Sequence, residues 1–324
     1  MTAPAPTFFA QIAANRRGSW LLGISVALLL GILAGVVGYT LGFGWAGVPA
    51  AIGLTIVLAV FAYFGGAGMI LSASQAHEID PATAPEPYRQ LVNVVEEMRL
   101  AAGLPMPRLY LISDSSPNAF ATGRDPKHAS LAVTSGLLEK LDREELQGVI
   151  GHEMSHIRNF DIRFMLLIGV MVGAIAIIAD SFLRISRWGG GSRRSSNDKG
   201  GSGLILLVVW VFAITLSLIT PFIARLVLLA ASRRRESLAD ASSVEFTRNP
   251  MGLAHALRKI ADDPEVLEVA NRGTQHLYIV NPIKTFEERA SSMWDTHPPI
   301  GERIRLLESM AGAAPSEPMA VPTS

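Results

Sequence analysis

The chain has 324 residues, a formal net charge of zero and no cysteine. The lack of cysteine excludes disulfides, thiolate metal sites and cysteine nucleophiles. The neutral balance leaves no electrostatic footprint for a nucleic-acid partner. The length predicts one or two domains with a sizeable core, and the 49% hydrophobic content is ordinary in amount but uneven along the chain.

Residues 1–18 read as a short tail. From Gly18 to Ala76 the sequence holds no Asp, Glu, Lys, Arg or His. One crossing of a bilayer needs about 20 apolar residues, so residues 19–76 predict a transmembrane hairpin. Gly42, Gly44, Gly47 and Pro49 mark its turn, and Tyr39 and Trp45 suit its interfaces. A cleaved signal peptide would carry a shorter apolar region, about 7–15 residues.

Residues 77–162 return to a soluble composition. Tyr88 to Ala102 predicts an amphipathic helix that buries Leu91, Val94, Val95 and Met98 and stops at Gly103. Arg108–Ile112 and Leu131–Thr134 predict strands. Residues 118–123 predict a turn or an edge strand. Asp142 and Glu145 then stand in capping-box spacing ahead of another helix.

Residues 163–231 predict a second membrane hairpin, because Ile, Leu and Val occupy every face of Phe164–Ala179 and Leu204–Ala224. A flexible Gly/Ser-rich loop at 189–203 joins its arms. A motif helix running straight into this hairpin would put Arg163 about 10 Å beyond His156, with the chemistry at the membrane surface. Residues 232–310 predict helices at Glu236–Thr247, Met251–Ala261 and Ile300–Met310. Residues 311–324 read as a disordered tail.

Arg16 and Arg17 before the first span place the N-terminus and the soluble segments in the cytoplasm by positive-inside logic. Arg158, Arg163 and Arg233–Arg235 agree with this. Arg184, Arg187, Arg193, Arg194 and Lys199, in the loop of the second hairpin, oppose it.

Residues 152–156 read His-Glu-Met-Ser-His. Helical positions four apart share a face, so both imidazoles reach one metal ion. Glu153 beside them is placed to take a proton from a water that the metal acidifies. This spacing is a signature of zinc peptidases. An open zinc site needs a third protein ligand. The residues alone leave Glu236, Asp240, Glu245, His255, His276 and His297 as candidates. His77 and His128 have no such support.

Four motifs carry a family resemblance: Gly-His-Glu-Met-Ser-His at 151–156, Arg-Arg-Arg-Glu-Ser-Leu-Ala-Asp-Ala at 233–241, Ser-Pro-Asn-Ala-Phe-Ala-Thr-Gly at 116–123 and Thr-His-Pro-Pro at 296–299. With the order of hairpins and motif helices, they resemble the HtpX group of membrane zinc proteases, gluzincin relatives of the CaaX prenyl endopeptidases. The resemblance implies an α-helical membrane protein with a small α+β zinc-protease domain built from residues 77–162 and 232–310. It implies one Zn2+ held by His152, His156 and Glu236, with Asp240 orienting His152. Glu153 becomes the catalytic base. Asn118, Ala119 and Phe120 become a substrate-binding edge, and His297 or Arg303 steadies the oxyanion.

The function implied is zinc-dependent endopeptidase action on damaged or misfolded membrane proteins or unfolded polypeptides. The location implied is the inner membrane of a bacterium, with the protease domain facing the cytoplasm. Two rival readings are a processing peptidase with few dedicated substrates and a non-proteolytic membrane scaffold. The presence of Glu153 weighs against the scaffold.

Overall fold

A computed structural model describes residues 46–86, 88–167, 235–265 and 299–312, with single positions between 17 and 35. The first arm of the N-terminal hairpin, nearly all of the second hairpin, the 189–203 loop, His276, His297 and the C-terminal tail lie outside the described residues.

The chain enters this region through helix α1, Gly47–Ala73. Ile52, Leu54, Ile56, Val57, Phe61 and Phe64 of α1 are all more than half exposed or close to it. Counting only described side chains, no helix is long and apolar enough to cross a membrane. In α1 the side chains at 47, 48, 51, 55, 58 and 59 lie outside that count.

Strand β1, His77–Ile79, follows, and then helix α2, Tyr88–Ala102. The period of its apolar residues buries Leu91, Val94, Val95 and Met98 together. Gly103 ends it at φ 68, a left-handed conformation that glycine adopts without steric cost. Strands β2 (Arg108–Ile112), β3 (Ala119–Gly123) and β4 (Ala129–Thr134) complete a mixed sheet. Its order is β1-β2-β4-β3, with β2 and β4 parallel and the outer pairs antiparallel.

Both sheet faces are covered. Leu109, Leu131 and Val133 join the main core, while Tyr110, Ile112, Ala132 and Phe120 pack with Ile70 and Leu71 at the end of α1. Alternate residues thus serve two apolar layers, which is why β4 is buried at every position.

Helix α3, Ser135–Lys140, leads into helix α4, Arg143–Arg158. The capping box of α4 is formed, with the Glu145 N–H donating to Asp142 Oδ1 at 3.0 Å and the Asp142 N–H to Glu145 Oε2 at 2.8 Å. A straight continuation into the second hairpin does not occur. The chain breaks at Asn159, whose side-chain amide donates to Ser155 Oγ at 3.1 Å, and at Phe160, where φ is 61. A bulky residue in that conformation costs about 1–3 kcal/mol, which the surrounding packing must offset. A new helix, α5, is described over 161–167.

Helices α6 (235–247), α7 (Pro250–Asp262) and α8 (Ile300–Met310) come from the distant second segment. Helices α6 and α7 dock closely on α4 through glycines, and α8 packs on α7. A Cβ on Gly148 would lie 2.5 Å from the Leu253 nitrogen, and one on Gly252 would lie 2.6 Å from the Glu144 carbonyl oxygen. Gly151 admits Ser243 of α6, whose hydroxyl donates to the Gly148 carbonyl at 2.7 Å.

Gly148→Ala therefore forces α4 and α7 apart at backbone atoms. It is expected to lower stability by about 1–3 kcal/mol despite the better helix propensity of alanine. Gly301→Ala, where a Cβ meets nothing within 4 Å, is the matched control and should be neutral or slightly stabilising. Thermal unfolding of the two variants in one detergent checks the difference.

Candidate metal centre

The buried face of α4 carries His152 and His156 one turn apart, their rings crossing at 89° with centroids 4.8 Å apart. Their Nε2 atoms lie 3.2 Å from each other. Glu236, near the start of α6, completes a triangle. Its Oε2 is 3.4 Å from His152 Nε2 and its Oε1 is 3.5 Å from His156 Nε2. These three residues form a possible metal-holding group. A tetrahedral metal with bonds of about 2.0–2.1 Å has donor atoms about 3.3–3.4 Å apart. The donor set and its spacing therefore fit such an ion.

The remaining ring nitrogens face carboxylates. His152 Nδ1 is 2.9 Å from Asp240 Oδ1, and His156 Nδ1 is 3.2 Å from Asp161 Oδ2. Each Nδ1–H donates outward, which leaves both Nε2 lone pairs directed at the centre of the triangle. Asp240 is itself gripped by Arg303, whose Nε donates to Oδ2 at 2.9 Å and Nη2 to Oδ1 at 2.7 Å. This two-pronged arrangement fixes the carboxylate in both position and rotation. Nη1 of Arg303 also approaches Glu236 Oε2 at 3.7 Å.

Burial opposes charge on every one of these groups, so the surviving charges are those with partners. Burial pulls the His152 imidazolium down, but the hydrogen bonds to Asp240 and Glu236 outweigh it and raise its pKa to about 9. Burial pushes Asp240 up, yet Arg303 and His152 hold its carboxyl at about 2. Glu153 goes the other way. Burial raises it, and the neighbouring histidines only partly offset that. A carboxylate with raised proton affinity suits a general base. The backbone N–H of Ala121 in β3 donates to it, so the base is tied to the edge of the sheet.

A model of peptidase family M48 matches residues 85–311. The chain belongs to peptidase family M48. This M48 peptidase is 41% identical over 303 residues to "Protease HtpX homolog" of Lactobacillus helveticus, covering 93% of this chain and 99% of that one. It is 48% identical over 227 residues to the protein of the same name from Thermoanaerobacter pseudethanolicus, covering 70% and 73% of the two chains. Among solved structures it is similar to S. mikatae Ste24p, with a TM-score of 0.47 and 18% identity over 90% of this chain and 66% of that one. It is a metalloprotease, a hydrolase of peptide bonds.

Four of the six sequence candidates for a third ligand lie among the described residues, and these four separate. Among the described residues only Glu236 reaches both histidines, and Asp240 stands behind His152. Glu245 is exposed and pairs with Arg158 at 3.5 Å, and His255 is exposed. His276 and His297 lie outside the described residues. His77 is exposed, and His128 is exposed against Asp125 at 2.8 Å. Asn118 and Ala119 are buried at the start of β3, and the Phe120 side chain belongs to the core against Ile70 and Leu71. Arg303 lies on Asp240, and its Nη2 is also 3.4 Å from His152 Nδ1.

Sequence reasoning missed Asp161 and Arg235. In an unbroken helix, position i+5 leaves the face of His156. Only the turn at Phe160 returns Asp161 to it.

His152 binds its proton more tightly in the folded chain than in the unfolded one, whose ordinary value is 6.5. Stability from this group is complete below about pH 6.5 and is lost as pH rises toward 9. A chelated sample should therefore show a melting temperature that falls across that interval. A metal-loaded sample should lack this decline, since a bound cation takes the place of the proton. Thermal scans of both samples at several pH values check this.

Proposed function

We propose that this M48 peptidase is a zinc-dependent endopeptidase acting at a membrane surface on membrane proteins or unfolded chains. The observation that carries the reading is the His152–His156–Glu236 triangle, with Glu153 beside it. His152, His156 and Glu236 would hold one zinc ion. Bound there, zinc acts as a Lewis acid that acidifies water and polarises the scissile carbonyl.

The protein's own residues do the rest. Glu153 accepts the proton of the attacking water and delivers it to the leaving amine. Its raised proton affinity suits the first transfer, and its hydrogen bond from Ala121 aims it. Asp240 keeps His152 in one tautomer, and Arg303 holds Asp240. Arg303 thereby acts through Asp240, and stabilisation of the oxyanion falls to it only if its guanidinium turns toward the substrate.

β3 is an edge strand among the described residues. Because the Ala121 N–H points to Glu153 rather than to β4, the outer edge of β3 faces the site. An extended substrate that adds to this edge runs past the metal with its backbone aligned. Asn118, Ala119 and Phe120 contribute through the strand, with Phe120 anchoring it by its buried ring.

The membrane location rests on α1. Its described exposed side chains are apolar apart from Ser72 in the last turn, and its C-terminal end packs on Phe120 through Ile70 and Leu71. Phe120 adjoins Ala121, which bonds Glu153, so the base lies one strand from the apolar helix. Arg124, just past β3, has its guanidinium 5.3 Å from the Phe64 ring centroid. A cation there suits the aqueous border of a bilayer. These features support association with a membrane, and the reading extends to an inner-membrane protease whose domain faces the cytoplasm and removes damaged or misfolded membrane proteins.

The test compares the full chain with Glu153→Gln, each purified under chelation in detergent and then supplied with zinc and an unfolded substrate. The parent should cleave only with metal. The variant should lose about 10²–10⁴-fold in rate while keeping its zinc. Equal cleavage by both would assign the base elsewhere. In a companion experiment, Glu236→Gln should lose zinc as well as activity, measured by metal analysis, and full zinc content would move the third ligand to another residue.

A further inference from the structure

Asp161 is fully buried, and the His-Glu-Met-Ser-His pattern does not by itself call for it. A buried carboxylate is tolerated only where charge and hydrogen bonds match it. Two groups do so here. His156 Nδ1 lies 3.2 Å from Oδ2, and Arg235 Nε lies 3.5 Å from Oδ1. Arg235 is only 5% exposed, and its guanidinium carbon lies 3.5 Å from the centroid of the Phe164 ring, a cation–π contact that holds the charge inside.

The chain bends to make this contact. Phe160 takes a left-handed conformation at φ 61, and the next residue is Asp161. Without that turn, Asp161 would continue around the helix away from His156. Arg235 in turn directly precedes Glu236. One carboxylate therefore touches the second histidine of α4 and the residue that begins α6.

The same pattern stands on the other side of the site, where Arg303 holds Asp240 and Asp240 holds His152. We infer that Asp161 and Arg235 form a second positioning relay, which orients His156 and, through the start of α6, sets Glu236 against it. The inference rests on the metal reading above. Asp161 is a positioning residue and touches no reacting atom. Its loss loosens two of the three donors at once, because His156 and Glu236 come from segments that meet only in the folded chain. Partners of this kind are worth about 10–100-fold in metal affinity.

The experiment uses the full chain in detergent, loaded with zinc, and follows zinc release to excess chelator. A parallel sample loaded with Co2+ reports ligand geometry through its visible absorption bands. Asp161→Ala should release zinc about 10–100-fold faster than the parent and shift the cobalt bands. Asp161→Asn should fall between them, since its carboxamide oxygen still accepts the Nδ1–H bond. Arg235→Gln should speed release on its own but add little to Asp161→Ala.

Glu308→Gln removes a different buried ion pair, that with Arg258. It should leave zinc release and the cobalt bands unchanged, which separates positioning from general destabilisation. Zinc release at the parental rate from the Asp161 variants would overturn the inference and leave the metal reading intact. Should Asp161→Ala not fold, parental rates in both Asp161→Asn and Arg235→Gln would overturn it equally. A parent that retains no zinc would overturn the metal reading and this inference together.

Discussion

Charge taken out of water must be matched within a few ångströms, and α4 and α6 bury a dense set of it in one place. His152, Glu153, Asp161, Arg235, Glu236, Asp240 and Arg303 are all buried, with His156 nearly so. Each of these groups would be costly alone. Together they form a closed set in which arginines face carboxylates, carboxylates face outer imidazole nitrogens, and inner imidazole nitrogens face the Glu236 carboxylate. Such a set is stable in one arrangement and poor in most others. That arrangement brings two imidazole nitrogens and the two oxygens of one carboxylate together at 3.2–3.5 Å, so the electrostatics of folding also assembles a group able to hold a metal.

The backbone has to be unusually close for this to occur. Helices normally lie 8–10 Å apart, and the glycines at 148, 151 and 252 remove the side chains that would enforce more. The hydroxyl of Ser243 then reaches the Gly148 carbonyl, which fixes α6 in register along α4. Register decides which side chain of α6 meets the histidines. With Ser243 seated on the turn that contains Gly148 and Gly151, Glu236 falls opposite His152 and His156 at the other end of the contact.

The sheet contributes position rather than chemistry. Strands β3 and β4 are buried on both faces, which makes β3 a rigid edge despite its terminal place. One face rests on the core beneath α4, and the other rests on the end of α1. A shift of either layer would carry Ala121, and with it Glu153. The fold thus links the apolar helix, the sheet edge and the base in a single run of contacts, and the proposed access of membrane-associated chains follows from that run.

Much of this was legible in the residues. The amphipathic period of Tyr88–Ala102, the alternation of Arg108–Ile112 and the Asp142–Glu145 box specify elements through local physics, and those elements form as expected. The pairing of His152 with His156 is also local, because helical geometry alone puts positions four apart on one face. The third donor was not local. Glu236, Glu245 and His255 look alike as lone polar residues in helical segments, and the residues by themselves left them open until resemblance favoured Glu236. Only tertiary packing separates them, by burying Glu236 against α4 and leaving the other two in water. Asp161 was illegible for a different reason. Its position off the face of His156 argues against contact, and only the left-handed turn at Phe160 reverses that. The sequence by itself determined most of the helices, strands β2 and β4 and the pairing of His152 with His156, since each depends on neighbours within a few residues. The tertiary structure decided which residue joins the two histidines and which carboxylates stand behind them, since these depend on how closely two distant segments approach and on one backbone turn that no periodicity encodes.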